Sequence, residues 1–117
     1  MDKPPVRLAI IEDEKISGLR LQEHLVEMGH PVDLFFEGHS FLNAFLASPY
    51  DLVITDLKLP GPGGMDILRR VKGRHRDTEV VVITGYASID SAIELDGREN
   101  FRVRLFDGKH VSRLRFE

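Results

Sequence analysis

The residues best placed to do chemistry are few and acidic. Glu12 and Asp13 are adjacent and follow an apolar run; Asp56 ends a second one, Leu52 to Ile54; and Thr84 ends a third, Glu79-Val-Val-Val-Ile-Thr84. Carboxylates brought close together repel and raise one another's pKa. A hard divalent cation that takes oxygen ligands and keeps several waters relieves that repulsion, which describes Mg²⁺. A carboxylate held against such a cation can act as a nucleophile toward a phosphoryl group, with the metal neutralising charge on the transferred oxygens.

For that chemistry the three acids must meet, and the pattern of the chain supplies a way. Val6 to Ile11, Val32 to Phe36, Leu52 to Thr55 and Glu79 to Thr84 are apolar, β-branched runs that predict four strands. Between them, Ile16, Leu19, Leu21, Leu25 and Met28 predict one helix with these side chains mainly on one face. Phe41, Leu42, Phe45 and Leu46 predict a short second helix, and Met65, Ile67, Leu68 and Val71 a third; Ala87 to Leu95 predict a fourth. Strands alternating with helices imply a parallel sheet covered on both faces, with continuous apolar strands buried on both sides. Ligands of such sheets sit outside the carboxyl ends of the strands. If the first and third strands are neighbours, about 4.8 Å apart, Asp13 and Asp56 lie within a few ångströms of each other. The loop Pro60-Gly-Pro-Gly-Gly64 must bend sharply after Asp56 and leave space beside it; proline fixes φ, and the glycines are expected to take φ values closed to other residues.

Composition narrows the class. The 117 residues fit one domain, with 42% hydrophobic and 30% charged residues and a net charge of -3. The charge gives no sign of a nucleic-acid surface, so no direct nucleic-acid binding is expected. Cysteine is absent, which excludes disulfides and thiolate metal sites and fits a cytoplasmic setting. No apolar run approaches the roughly 18 residues of a membrane span, and the amino terminus is not a signal peptide. His24, His30, His39, His75 and His110 show no metal-ligand spacing and read as surface or filler.

Taken together, Ile11-Glu-Asp-Glu14, Asp56-Leu-Lys-Leu-Pro60 with Gly64, and Ile83-Thr-Gly-Tyr-Ala87 resemble the receiver domains of two-component response regulators, most of all those of enhancer-binding transcription activators. The resemblance covers about residues 6 to 95. It implies a flavodoxin-like α/β fold with strand order 2-1-3-4-5. It further implies that Asp56 accepts a phosphoryl group from a sensor histidine kinase and that Mg²⁺ is held by Asp13 and Asp56 directly. Glu12 would bind the metal through water, and the backbone carbonyl of Lys58 would complete the protein ligands. Thr84 would turn toward the phosphate as a switch residue. Such a domain is not an enzyme beyond catalysing its own phosphorylation and dephosphorylation, and its output domain is absent from this sequence. Two other carriers of similar motifs fit less well. An aspartate-based phosphatase wants a second aspartate where Lys58 stands, and a flavodoxin wants a Ser/Thr-rich loop where Glu12 to Glu14 stand.

The resemblance breaks near residue 96. Receivers end their fifth strand with lysine and proline, and that lysine falls at Phe106 here; their aromatic switch position falls at Val103. Residues 1–95 thus read as the receiver core and 96–117 as an atypical tail of the same domain, a break such as a changed reading frame would give. Two β-like runs flank Asp107-Gly108, a strong hairpin signal. They predict a fifth strand over 100–106 and an antiparallel return over 109–116 in place of the last helix. A homodimer is expected to cover the sheet face that helix would have filled, through the tail and the open side of strands one and five. The missing lysine leaves one alternative reading, a receiver-like interaction module impaired in phosphorylation.

Overall fold

The computed structural model describes residues 6–83 in full and the backbone of two further strands, 103–106 and 111–114. The elements run β1 (Leu8–Ile11), α1 (Lys15–Glu27), β2 (Val32–Phe35), α2 (Gly38–Ala47), β3 (Leu52–Asp56), α3 (Gly64–Arg74), β4 (Glu79–Ile83), β5 (Val103–Phe106) and β6 (Val111–Leu114). They form one sheet of order β2-β1-β3-β4-β5-β6, in which β1 to β5 are parallel and β6 returns antiparallel to β5. The flavodoxin-like order 2-1-3-4-5 and the expected antiparallel return strand are therefore both present. The expected fourth helix and the hairpin turn lie outside the described residues, as does the tail surface on which the expected homodimer rests.

The core forms between the sheet and the pair α2 and α3. Ala9, Ile11, Val53, Val80 and Val82 face Phe41, Leu42, Phe45, Ile67, Leu68 and Val71, all buried. Burying each large apolar side chain contributes roughly 1.5–3 kcal/mol, so among the described residues this side contributes the larger share of the packing energy. On the opposite face, Leu8, Ile10 and Val32 pack with Leu21, Leu25 and Leu34.

Two sequence expectations need correction here. The face that α1 buries is not the one its apolar residues suggest: Leu21 and Leu25 pack inward, while Ile16, Leu19 and Met28 are exposed. Gly18 sets this orientation. A Cβ there would lie 3.0 Å from Leu34 Cδ1, so α1 approaches β2 through its smallest residue and turns Leu19 outward. Nor are all the strands buried on both sides. β1 is buried throughout, but β3 and β4 alternate between buried and half-buried positions, because the described helices cover only one face there fully.

Of the three described helices, α1 and α2 begin on a glutamate cap. Glu14 accepts a hydrogen bond from Ser17 N at 2.7 Å, and Glu37 accepts one from Ser40 N at 2.8 Å. These bonds hold both carboxyls below the usual glutamate value.

The amino edge of the sheet is tied by polar contacts. Thr78 Oγ1 donates to Tyr50 O at 2.7 Å, and Tyr50 donates to Asp33 Oδ2 at 2.6 Å. Lys72, though buried, donates to the carbonyls of Arg76 at 3.1 Å and Thr78 at 2.5 Å, which closes the loop after α3. No helix among the described residues is long and apolar enough to cross a membrane.

Candidate functional site

Strand register alone brings the acids together. β1 lies beside β3 with Ile11 opposite Thr55, so the residues that follow, Glu12 and Asp56, leave the sheet at the same level. Asp56 is itself the last residue of β3, one beyond the expected end. One carboxylate oxygen from each of Glu12, Asp13 and Asp56 lies within 4.8 Å of the other two. Glu12 and Asp56 are partly buried and Asp13 is exposed.

The electrostatics follow from that crowding. Partial burial pushes the Glu12 carboxyl up to about 6; the Asp56 and Asp13 charges add to the rise, and the hydrogen bond from Glu14 N opposes it. That bond, 2.9 Å to Glu12 Oε1, also fixes the side chain toward the cluster. Of the three consecutive acids, Glu14 does not join the site and serves α1 as its cap.

The loop after Asp56 is held from three directions. Lys58 N donates to Asp56 Oδ1 at 3.2 Å, Leu57 N donates to Ile83 O at 3.0 Å, and Gly64 N donates back to Leu57 O at 2.9 Å. The glycines act in two different ways. Gly61 has φ +74, the left-handed conformation expected of this loop. Gly64 has no such φ and is needed for space: a Cβ there would sit 2.5 Å from Asp56 O and 2.8 Å from Leu57 Cα. Gly38 at the start of α2 closes the loop from the other side, where a Cβ would come within 2.9 Å of Pro62 O. Gly38 carries no signal in the sequence, since its partner is a carbonyl far along the chain. His39, read as surface or filler, is exposed and borders the same loop at Gly61.

Glu12, Asp13 and Asp56 thus converge as expected, and Lys58 stands beside them as the first loop donor to Asp56. Thr84 lies outside the described residues; its predecessor Ile83 pairs with Asp56 across the β3–β4 ladder. The donor set is all oxygen and carries surplus negative charge, which suits a hard cation such as Mg²⁺. Phe106, at the position of the expected lysine, pairs by backbone register with Ile83 at the same edge.

The comparisons with known proteins agree with this geometry. The sequence profile of the response regulator receiver domain matches residues 8–98. The chain is similar to the transcriptional regulatory protein QseB of Haemophilus influenzae, with 33% identity over 89 residues, 76% of this chain and 40% of that protein. It spans 40% to 48% of the length of such curated relatives. Its fold is similar to that of a response regulator receiver domain protein from Clostridium thermocellum, at TM-score 0.79 and 28% identity, covering 90% of this chain and 83% of that one. It is also similar to the response regulator TrrA of Thermotoga maritima in complex with Mg²⁺-BeF, at TM-score 0.68 and 29% identity, covering 74% of this chain and 75% of that one.

Proposed function

This chain belongs to the response regulator receiver domain family, and from that membership we propose that Asp56 is the phosphoacceptor of a Mg²⁺-dependent signalling switch. A single observation carries the reading: Asp56, ending β3, shares a cluster of carboxylate oxygens within 4.8 Å with Glu12 and Asp13. The phosphoryl donor is a sensor histidine kinase. A carboxylate oxygen of Asp56 attacks the phosphorus of a phosphohistidine; the new P–O bond forms as the P–N bond breaks, and the imidazole leaves neutral, keeping the proton already on its other ring nitrogen. When bound, Mg²⁺ neutralises charge on the transferred oxygens. Asp13 and Asp56 would hold it directly and Glu12 through water, with the Lys58 carbonyl as a further ligand. The resemblance of TrrA, solved with Mg²⁺-BeF, supports this assignment.

The rest of the site positions Asp56. The amide of Lys58 orients its Oδ1, and the amide of Leu57 ties the loop to the end of β4, one residue before Thr84. Thr84 is the switch that reports phosphorylation to the surface. The chain catalyses its own phosphorylation and dephosphorylation and no further reaction. Its partner beyond the kinase is an output domain, and the curated relatives are transcription regulators. The test is incubation with acetyl phosphate and Mg²⁺ followed by mass measurement. A phosphoryl adduct that vanishes in Asp56→Asn is expected; an adduct that persists in that variant overturns the assignment.

A further inference from the structure

We propose that a second copy of this chain occupies the groove between α2 and α3 with the outward face of its α1. The groove has a volume of about 370 Å³ and is lined by Leu42, Phe45, Leu46, Arg70, Gly73 and Arg74. Its floor is apolar, and Leu46 on its rim is 57% exposed. Gly73 leaves a gap in the α3 wall, where a Cβ would meet nothing within 4 Å. Arg70 and Arg74 stand one turn apart on that wall, and neither makes an ion pair among the described residues.

The outward face of α1 is the complement. Leu19 and Val26 are 45% and 50% exposed, with Glu23 between them and Glu27 one turn beyond. Leu19 and Val26 stand two turns apart on one face, the i, i+7 spacing of apolar anchors by which a helix seats in a groove, and Glu23 lies between them. Glu23 and Glu27 repeat the four-residue spacing of Arg70 and Arg74, and they too make no ion pair among the described residues. Glu27 lies in the last turn of α1, where the helix carbonyls disfavour a carboxylate, so an arginine from outside relieves a strain of charge. The two surfaces lie on opposite faces of the sheet, α1 over Leu8, Ile10 and Val32 and the groove over the larger core. One copy cannot fill its own groove, so the contact is head-to-tail and grows into rings or chains.

The test is sedimentation of the whole chain from micromolar to millimolar concentration at low and high salt. Two variants, Arg70→Glu/Arg74→Glu and Glu23→Arg/Glu27→Arg, are run separately and mixed, after melting curves show that each is folded. The wild type is expected to rise with concentration to twice the 13.3 kDa monomer mass or more, and to fall back in high salt. Each variant alone loses that rise, and the equimolar mixture regains it, because each reversed face then meets its opposite. The regained assembly also excludes misfolding as the cause of the loss. A wild type that stays at monomer mass overturns the proposal, including one that instead binds a foreign acidic amphipathic helix. So does either variant assembling like the wild type, or a mixture that fails to recover.

Discussion

Gly64 and Asp56 are in backbone contact: a Cβ on Gly64 would fall 2.5 Å from the Asp56 carbonyl oxygen. The glycine that opens α3 therefore sets where the strand end carrying the candidate nucleophile can lie. Gly64→Ala forces backbone against backbone, and neither side can rotate away. Overpacking of this kind costs about 1–3 kcal/mol. We expect a lower melting temperature together with slower phosphorylation of Asp56 by acetyl phosphate. An unchanged rate in a folded variant would show that the contact does not position Asp56.

Crowding of the three acids predicts that a bound divalent cation stabilises the fold. Mg²⁺ at 100 times its Kd should add about 2.7 kcal/mol to stability by mass action. Asp13→Asn removes one of the mutually repelling charges, so it should raise the melting temperature of the metal-free protein while weakening Mg²⁺ binding. A thermal titration of both proteins checks this. A melting temperature indifferent to millimolar Mg²⁺ would count against the site.

The raised Glu12 pKa gives the site a pH dependence with a definite sign. The ordinary value is 4.5 and the folded one about 6, so the folded protein holds more protons between them. In the absence of metal, stability contributed at Glu12 is present at low pH and is lost as pH rises from about 4.5 through 6. Mg²⁺ needs the ionised carboxylate, so its affinity should fall as pH drops below about 6. Glu12→Gln should flatten both profiles near that pH. Calorimetric titration across the range decides it, and a profile unchanged by Glu12→Gln would remove Glu12 from the site.

At the opposite edge of the sheet, Thr78 is fully buried and donates to the Tyr50 carbonyl. Thr78→Val keeps the shape but leaves that carbonyl without its donor, at a cost of about 1–3 kcal/mol. Because this edge is remote from Asp56, acetyl phosphate labelling of the folded variant should match the wild type. A selective loss of labelling would reveal coupling between the two ends of the sheet.

The sequence by itself determined the set of acids and the frame that carries it. Asp56 at the end of an apolar run, the Glu12–Asp13 pair and the proline- and glycine-rich loop are local patterns, and strands alternating with helices confine the topology to a few choices. What the sequence left open depends on register and approach between distant segments. Glu14 and Glu12 are the same residue type two positions apart, yet one caps α1 and the other turns into the site, because only Glu12 leaves β1 beside Asp56. The periodicity of α1 put Leu19 on one face with Leu21 and Leu25, and the close approach of Gly18 to Leu34 turned Leu19 outward. Gly61 and Gly64 look alike in the chain, but one supplies a positive φ and the other an absent side chain. Local preference limits which elements form; which of their atoms touch, and hence where charge is crowded and protons are held, is decided by packing across the sheet.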